Sequence, residues 1–149
     1  MENFGPLVQR FFLEHPDWKP SVDSCCPVGW DPILGQALSG LHDLAERRLV
    51  RISISQIKEK FAELRIYFRV VGEPDQVHFD IVGGDGRVVS ARSPRASAAS
   101  VNAEAMAIVN RASEESRRAC QVCGQPGSVR PGGWLRVFCD DHVPQEDLD

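Results

Sequence analysis

The chain has 149 residues, 42% hydrophobic and 26% charged, with a net charge of −4. That is enough length for one domain with its own core, or for one domain and a small appended module. The acidic balance disfavours a general polyanion binder, although a local basic patch stays compatible with it. No apolar run approaches the roughly 20 residues needed to span a bilayer, and Met1 to Pro6 looks nothing like a signal peptide. A cytoplasmic protein with reduced thiols and no membrane association is expected.

In chain order, residues 3–14 predict a short amphipathic helix with Leu7, Val8, Phe11 and Phe12 on one face. It should stop before Pro16, because the residue preceding a proline avoids the helical region. A loop carrying Cys25-Cys26-Pro27-Val28-Gly29-Trp30 follows. Adjacent cysteines join only with strain, so Cys25 and Cys26 read as small apolar groups; the weaker alternative is a second metal site, for which no nearby histidine is available. Asp31 then has the character of an N-cap with Pro32 at the first helical position, opening a helix over 31–48. Its stripe is Ile33, Leu34, Ala37, Leu38, Leu41, Leu44 and Ala45. His42, beside Asp43, is expected to face solvent.

Alternation over 49–57 predicts a strand, with a second over 64–71 and a short connection near Ala62-Glu63. Strands at 77–82 and 87–91 flank Gly83-Gly84-Asp85-Gly86, a strong turn signal. Ser90 to Ser100 reads as a mobile loop, and 101–118 returns to helical spacing through Val101, Ala105, Ile108, Val109 and Ala112. The expected fold class is α+β, with an antiparallel sheet of three to four strands packed with two to three helices. This body occupies residues 1–118 and is followed by a metal-binding module with an acidic tail at 119–149.

That module holds the most specific motif, Cys120-x2-Cys123-x15-Cys139-x2-His142. Two short ligand pairs about fifteen residues apart suit a tetrahedral Zn²⁺, whereas disulfide or redox use of the thiols fits a reducing compartment less well. Four protein ligands close the coordination sphere, so the expected role of one Zn²⁺ is structural. Its binding free energy, on the order of 10 kcal/mol in zinc-finger peptides, would order a segment poor in large apolar groups. Around the motif Arg118, Arg130 and Arg136 are outnumbered by Asp140, Asp141, Glu146, Asp147 and Asp149, which makes the finger a poor phosphate reader.

Catalytic constellations are thin. His78 with Asp80 and Glu14 with His15 are the available acid–base pairs, and each reads more simply as a polar face. There is no phosphate loop between strand and helix and no Gly-x-Ser-x-Gly elbow. Lys58 and Lys60 share one face of the first strand, and Arg65, Tyr67 and Arg69 share one on the second. Together they are either a platform for stacking single-stranded bases or a solvated face balanced by Glu59 and Glu63. Trp134 is either a core anchor of the finger or an exposed partner contact.

Two segments resemble a group of small uncharacterised bacterial and phage proteins. One is Ile57-Lys58-Glu59-Lys60-Phe61-Ala62-Glu63-Leu64-Arg65-Ile66-Tyr67-Phe68, similar to the group's KEKFG-x-LRFY hairpin. The other is the finger, Cys120-Gln-Val-Cys-Gly-Gln-Pro-Gly with Gly132-Gly-Trp-Leu-Arg-Val-Phe-Cys-Asp-Asp-His142. Val28-Gly29-Trp30 also resembles the group's Gly-Trp element. The resemblance implies a shared fold and the four metal ligands, and no activity. Ala62 replaces the turn glycine, Ile66 an aromatic residue, and residues 72–100 look like an enlarged insertion where a member-specific partner would bind.

The first functional expectation is a non-catalytic protein-interaction module, such as an inhibitor, a toxin-neutralising protein or a phage host-takeover protein. Acidic small proteins often block basic sites by complementary charge. The alternative is nucleic-acid binding through Lys58, Lys60, Arg65 and Arg69, with the finger as scaffold.

Overall fold

The computed structural model describes residues 3–71, 77–82, 88–93 and 98–145, with side chains described for these except within 77–99. The architecture is α+β. Helices α1 (Pro6–Glu14) and α2 (Asp31–Arg48) precede strands β1 (Arg51–Lys60) and β2 (Glu63–Val71). Strands β3 (Val77–Val82) and β4 (Val88–Ser93), helix α3 (Ala98–Ser116), and the short strands β5 (Ser128–Arg130) and β6 (Arg136–Phe138) follow. The strands pair as β1–β2, β3–β4 and β5–β6, all antiparallel, in place of the single sheet of three or four strands expected from the alternation.

The core lies where α2 packs between α1 and α3 with the β1–β2 hairpin beside it. Trp30, Phe12, Leu34, Leu38, Leu41 and Leu44 are fully enclosed there, along with Val8, Ile54, Ile57, Leu64 and Val101. Removing one of the leucines to alanine is worth about 2–5 kcal/mol in such a setting. Helix α1 starts at Pro6 rather than at residue 3, its N-cap being Gly5. Glycine has no side chain to satisfy the first amides, and the missing acceptor comes from another helix. Buried Asp31 accepts the Leu7 N–H at 2.8 Å through Oδ2 and the Val8 N–H at 3.1 Å through Oδ1. Asp31 is therefore not the N-cap of its own helix, as its position suggested. Trp30 holds that place without a capping side chain, and the carboxylate serves α1, with its charge at the positive end of that helix dipole. At the other end of α2, Leu49 adopts a left-handed conformation (φ 54°) and closes the helix instead of opening a strand.

Strand β1 runs three residues beyond the predicted end, its pairing with β2 continuing to Lys60, and a β-bulge between Ile54 and Gln56 shifts its alternation. Ile52 and Ile54 face the core before the bulge and Ile57 after it, so the extra residue keeps three isoleucines on the buried side. The hairpin closes through Phe61 and Ala62, with φ of 55° and 62°, the signature of a type I′ turn. Neither residue is favoured there, and Glu59 supports the turn by accepting the Ala62 N–H at 2.9 Å.

One hairpin edge is covered. Ser21, Val22 and Cys25 donate backbone N–H groups to Ile54, Ser55 and Ile57, and Ser24 Oγ accepts the Ile57 N–H. At the other edge the Leu64 N–H is met by buried Ser116 Oγ at 2.9 Å, which fastens β2 to the end of α3. The segment expected as one mobile loop is strand to Ser93 and helix from Ala98, and α3 ends at Ser116 rather than at residue 118. The turn at residues 83–86, the side chains of His78 and Asp80, and tail residues 146–149 lie outside the described residues.

Asp31→Ala should lower the unfolding free energy by about 1–3 kcal/mol, because two buried first-turn amides lose their acceptor. Asp31→Asn should lose less, since one carboxamide oxygen remains. Urea unfolding monitored by circular dichroism checks this, and an alanine variant matching wild type would remove the inter-helix cap.

Candidate metal centre

The four residues of the Cys/His motif converge. Their ligand atoms all lie within 4.8 Å of one another. Cys120 Sγ and Cys139 Sγ lie 3.7 and 3.1 Å from His142 Nδ1, and Cys123 Sγ lies 3.7 Å from Cys139 Sγ. Metal–sulfur bonds of about 2.3 Å in a tetrahedron put sulfurs roughly 3.8 Å apart, so the spacing fits a single tetrahedral ion.

Local backbone explains the convergence. After Cys120 the chain turns tightly, with Gly124 N–H returning to the Cys120 carbonyl at 2.8 Å and Cys120 N–H reaching the Gln125 carbonyl at 2.8 Å. Gly124 has φ +78°, a conformation β-carbons resist. The second pair closes differently. Strand β6 leads into Cys139, and a single turn over Asp140–His142 brings the imidazole back, with His142 N–H bonded to the Cys139 carbonyl at 3.1 Å. Arg130 on β5 donates to the Phe138 carbonyl and to Asp140 Oδ1 at 2.8 Å, bracing that turn.

The thiols are prepared for an ion. Burial alone would raise the Cys120 pKa, but backbone N–H groups of Cys139, Cys123 and Val122 outweigh it and bring the value down to about 6. At Cys123 the Gln125 N–H favours the thiolate, while desolvation and the Cys120 and Cys139 thiols overcome it and push the pKa up.

Sequence reasoning missed how this knuckle is seated. Gly29 donates its backbone N–H to the Gln121 carbonyl at 2.9 Å, and Trp30 donates its indole Nε1–H to the Ala119 carbonyl at 2.8 Å. A β-carbon on Gly29 would fall inside the Cys120 carbonyl oxygen, and one on Gly124 would press on the Gly29 carbonyl. Buried Gln121 then bonds Val137 twice, through its N–H to the Val137 carbonyl and its Oε1 to the Val137 N–H, each at 2.9 Å. Ala119 and Val137 belong to the same buried cluster as Trp30 and the α2 leucines. The signal for this seam was the Gly29-Trp30 dipeptide, a residue with no side chain beside the largest apolar one.

The remaining candidates separate. Cys25 is exposed and Cys26 is buried, and neither belongs to the metal cluster. Burial, then Asp31 and Cys25, push the Cys26 thiol up to about 12. Trp134 is 69% exposed, whereas Trp30 is fully buried. Of the basic residues, Arg65 is engaged by Glu63 at 2.8 Å, and Glu63 also takes Arg117 and the Ser113 hydroxyl. Lys58 Nζ lies 5.2 Å from the centre of the Tyr67 ring and Lys60 Nζ 5.3 Å from that of Phe61. Arg69 is exposed on the same face. His15 does not pair with Glu14, which binds Arg10 at 3.0 Å. It stacks on His42, with ring centres 4.1 Å apart, beside Phe11 and Trp18, so His42 is half-buried rather than solvent-facing. No described helix is long and apolar enough to cross a membrane. Comparison with family models, curated proteins and solved structures yields no match.

Native mass spectrometry should count one metal ion per chain, retained in Cys25→Ser and lost in Cys139→Ser. A second ion, or full retention in Cys139→Ser, would contradict the four-residue site. Gly29→Ala should impair metal retention although it removes no ligand, because the added methyl overlaps the knuckle backbone. At pH 8, alkylation of the metal-loaded protein should modify Cys25 and spare Cys26; equal labelling would show that Cys26 is not enclosed.

Proposed function

We propose that the chain is a non-catalytic protein-interaction module acting in the cytoplasm, its finger held by one structural Zn²⁺. Three thiolates and an imidazole suit zinc, and four protein ligands leave no position for an activated water. The observation that carries the interaction reading is Trp134, displayed 69% exposed in the β5–β6 connection next to exposed Leu135. A large aromatic residue on a metal-braced hairpin is the kind of anchor that dominates protein interfaces, since few of its degrees of freedom are lost on binding. Exposed Val122 lines the same shallow groove as Trp134, with Cys25, Cys26 and Pro27 on its other wall. The acidic charge of the chain favours a basic partner surface, in keeping with an inhibitor, an immunity-like protein or a phage host-takeover protein.

Affinity capture from lysate of the source cells tests this. The zinc-loaded protein should retain a stoichiometric protein partner, and Trp134→Ala should reduce its recovery at least tenfold with zinc content unchanged. Recovery of none, or indifference to Trp134→Ala, would sink the proposal.

A second reading is favoured by one feature, the pairing of Lys58 with Tyr67 and of Lys60 with exposed Phe61 on one hairpin face. Such pairs are components of single-strand stacking platforms, though the engagement of Arg65 by Glu63 removes one cation from it. On this reading, gel shifts with single-stranded probes should weaken steeply with salt and disappear in the Lys58→Ala/Lys60→Ala double variant.

A further inference from the structure

The β1–β2 hairpin has two edges, and among the described residues only the β1 edge is met by the backbone of another segment, at Ile54, Ser55 and Ile57. Counting outward from the two-residue turn, Glu63, Arg65, Tyr67, Arg69 and Val71 exchange hydrogen bonds with β1. The backbone groups of Leu64, Ile66, Phe68 and Val70 must then point away from it. The phase is confirmed at Leu64, whose outward N–H is the one bonded to Ser116 Oγ. It is confirmed on the opposite edge too, where segment 21–25 bonds Ile54, Ser55 and Ile57 of β1. Beyond Leu64, no backbone partner meets the outward groups of Ile66, Phe68 and Val70 among the described residues. Native sheets seldom leave such an edge open without blunting it.

Beside this edge lies a groove of about 220 Å³, between β2 residues 64–68 and the α3 face that carries Asn102, Met106, Val109 and Asn110. An edge strand with a helix running alongside is the geometry that receives an extended peptide as an added strand. We propose that β2 docks an extended segment of another protein by strand addition, and that acidic and apolar residues alternate in that segment. This rests on the interaction-module reading and assigns it a second surface, distinct from Trp134.

The alternation follows from the two faces of β2. An added strand sends every second side chain toward Phe68, Met106 and Val109, which asks for apolar groups. The intervening ones emerge beside Tyr67 and Arg69, with Lys58 across the hairpin, which asks for carboxylates, while Arg65 on the same face is already met by Glu63. Arg69 has no ion-pair partner among the described residues, so it is free to provide the charge.

The probe is a fluorescein-labelled octapeptide alternating glutamate with valine or phenylalanine, titrated into the full zinc-loaded chain. Saturable binding is expected, at least tenfold weaker for the same peptide N-methylated at alternate residues and at least fivefold weaker for Arg69→Ala. The amides of Ile66, Phe68 and Val70 should gain hydrogen-exchange protection, while Trp134→Ala should bind as wild type. Absent binding, indifference to N-methylation, or equal binding of a lysine-alternating peptide would overturn the inference. So would a free chain that is already dimeric with those three amides protected. A lysate partner that requires Trp134 while the β2 amides stay unprotected would overturn it and leave the broader reading standing.

Discussion

The seating of the metal knuckle on Gly29 and Trp30 is the constraint on which the rest of the structure depends. The Trp30 indole is fully enclosed, and its N–H has one acceptor, the Ala119 carbonyl at the entrance to the knuckle. A buried hydrogen bond of this kind adds only about 1 kcal/mol net, but leaving the donor unmet costs about 1–3 kcal/mol. The bond is therefore better understood as a specificity device. It admits one position of the finger, in which the Gly29 amide also meets Gln121 and no β-carbon stands between the two backbones. Finger and core thus complete each other: the Cys120–Gly124 turn closes over Gly29, and Ala119 and Val137 join the buried cluster around Trp30.

The same economy of polar groups runs through the body. Asp31 serves a helix other than its own, Ser116 serves the hairpin from the end of α3, and Glu63 collects Arg65, Arg117 and Ser113 at that junction. Each joins elements distant in sequence; Asp31 and Ser116 also satisfy backbone amides that would otherwise be enclosed without partners, whereas the arginines met by Glu63 keep contact with solvent. Arg48 plays the exposed counterpart, holding Glu104 at 2.7 Å and so linking α2 to α3. Strand pairing supplies little of this cohesion, because the hairpins are only two strands wide. Helix packing and these tethers supply it instead.

Much of the fold was legible in the sequence where a single period governs. The α2 stripe from Leu34 to Ala45 faces the core as spaced, and the span 31–48 agrees with the helix observed. The convergence of Cys120, Cys123, Cys139 and His142 was legible because metal chemistry tolerates few spacings. What escaped was of another kind. Asp31 has the sequence of a cap, and only tertiary structure decides which helix it caps. The bulge at Ser55 is invisible in a pattern read with period two, and it explains why Ile57 is buried although an unbroken alternation would expose it. Leu49 looks like a strand residue and instead ends a helix. The His15–His42 stack joins the residue that ends α1 to the middle of α2, a relation no local window contains.

The bond between Trp30 and Ala119 spans 89 residues, and it has a consequence for the chain during synthesis. Helices α1 and α2 and the β1–β2 hairpin emerge early and contain most of the large apolar side chains, so they can collapse as soon as they are made. The side of Trp30 that the knuckle covers has no lining until residues 119–121, and later Val137, have left the ribosome. The nascent body thus carries an open apolar socket for the whole time that the second half of the chain is being translated. Closure of that socket therefore waits on the last part of the chain, so the cover of the most enclosed aromatic residue is the last piece of the core to be made.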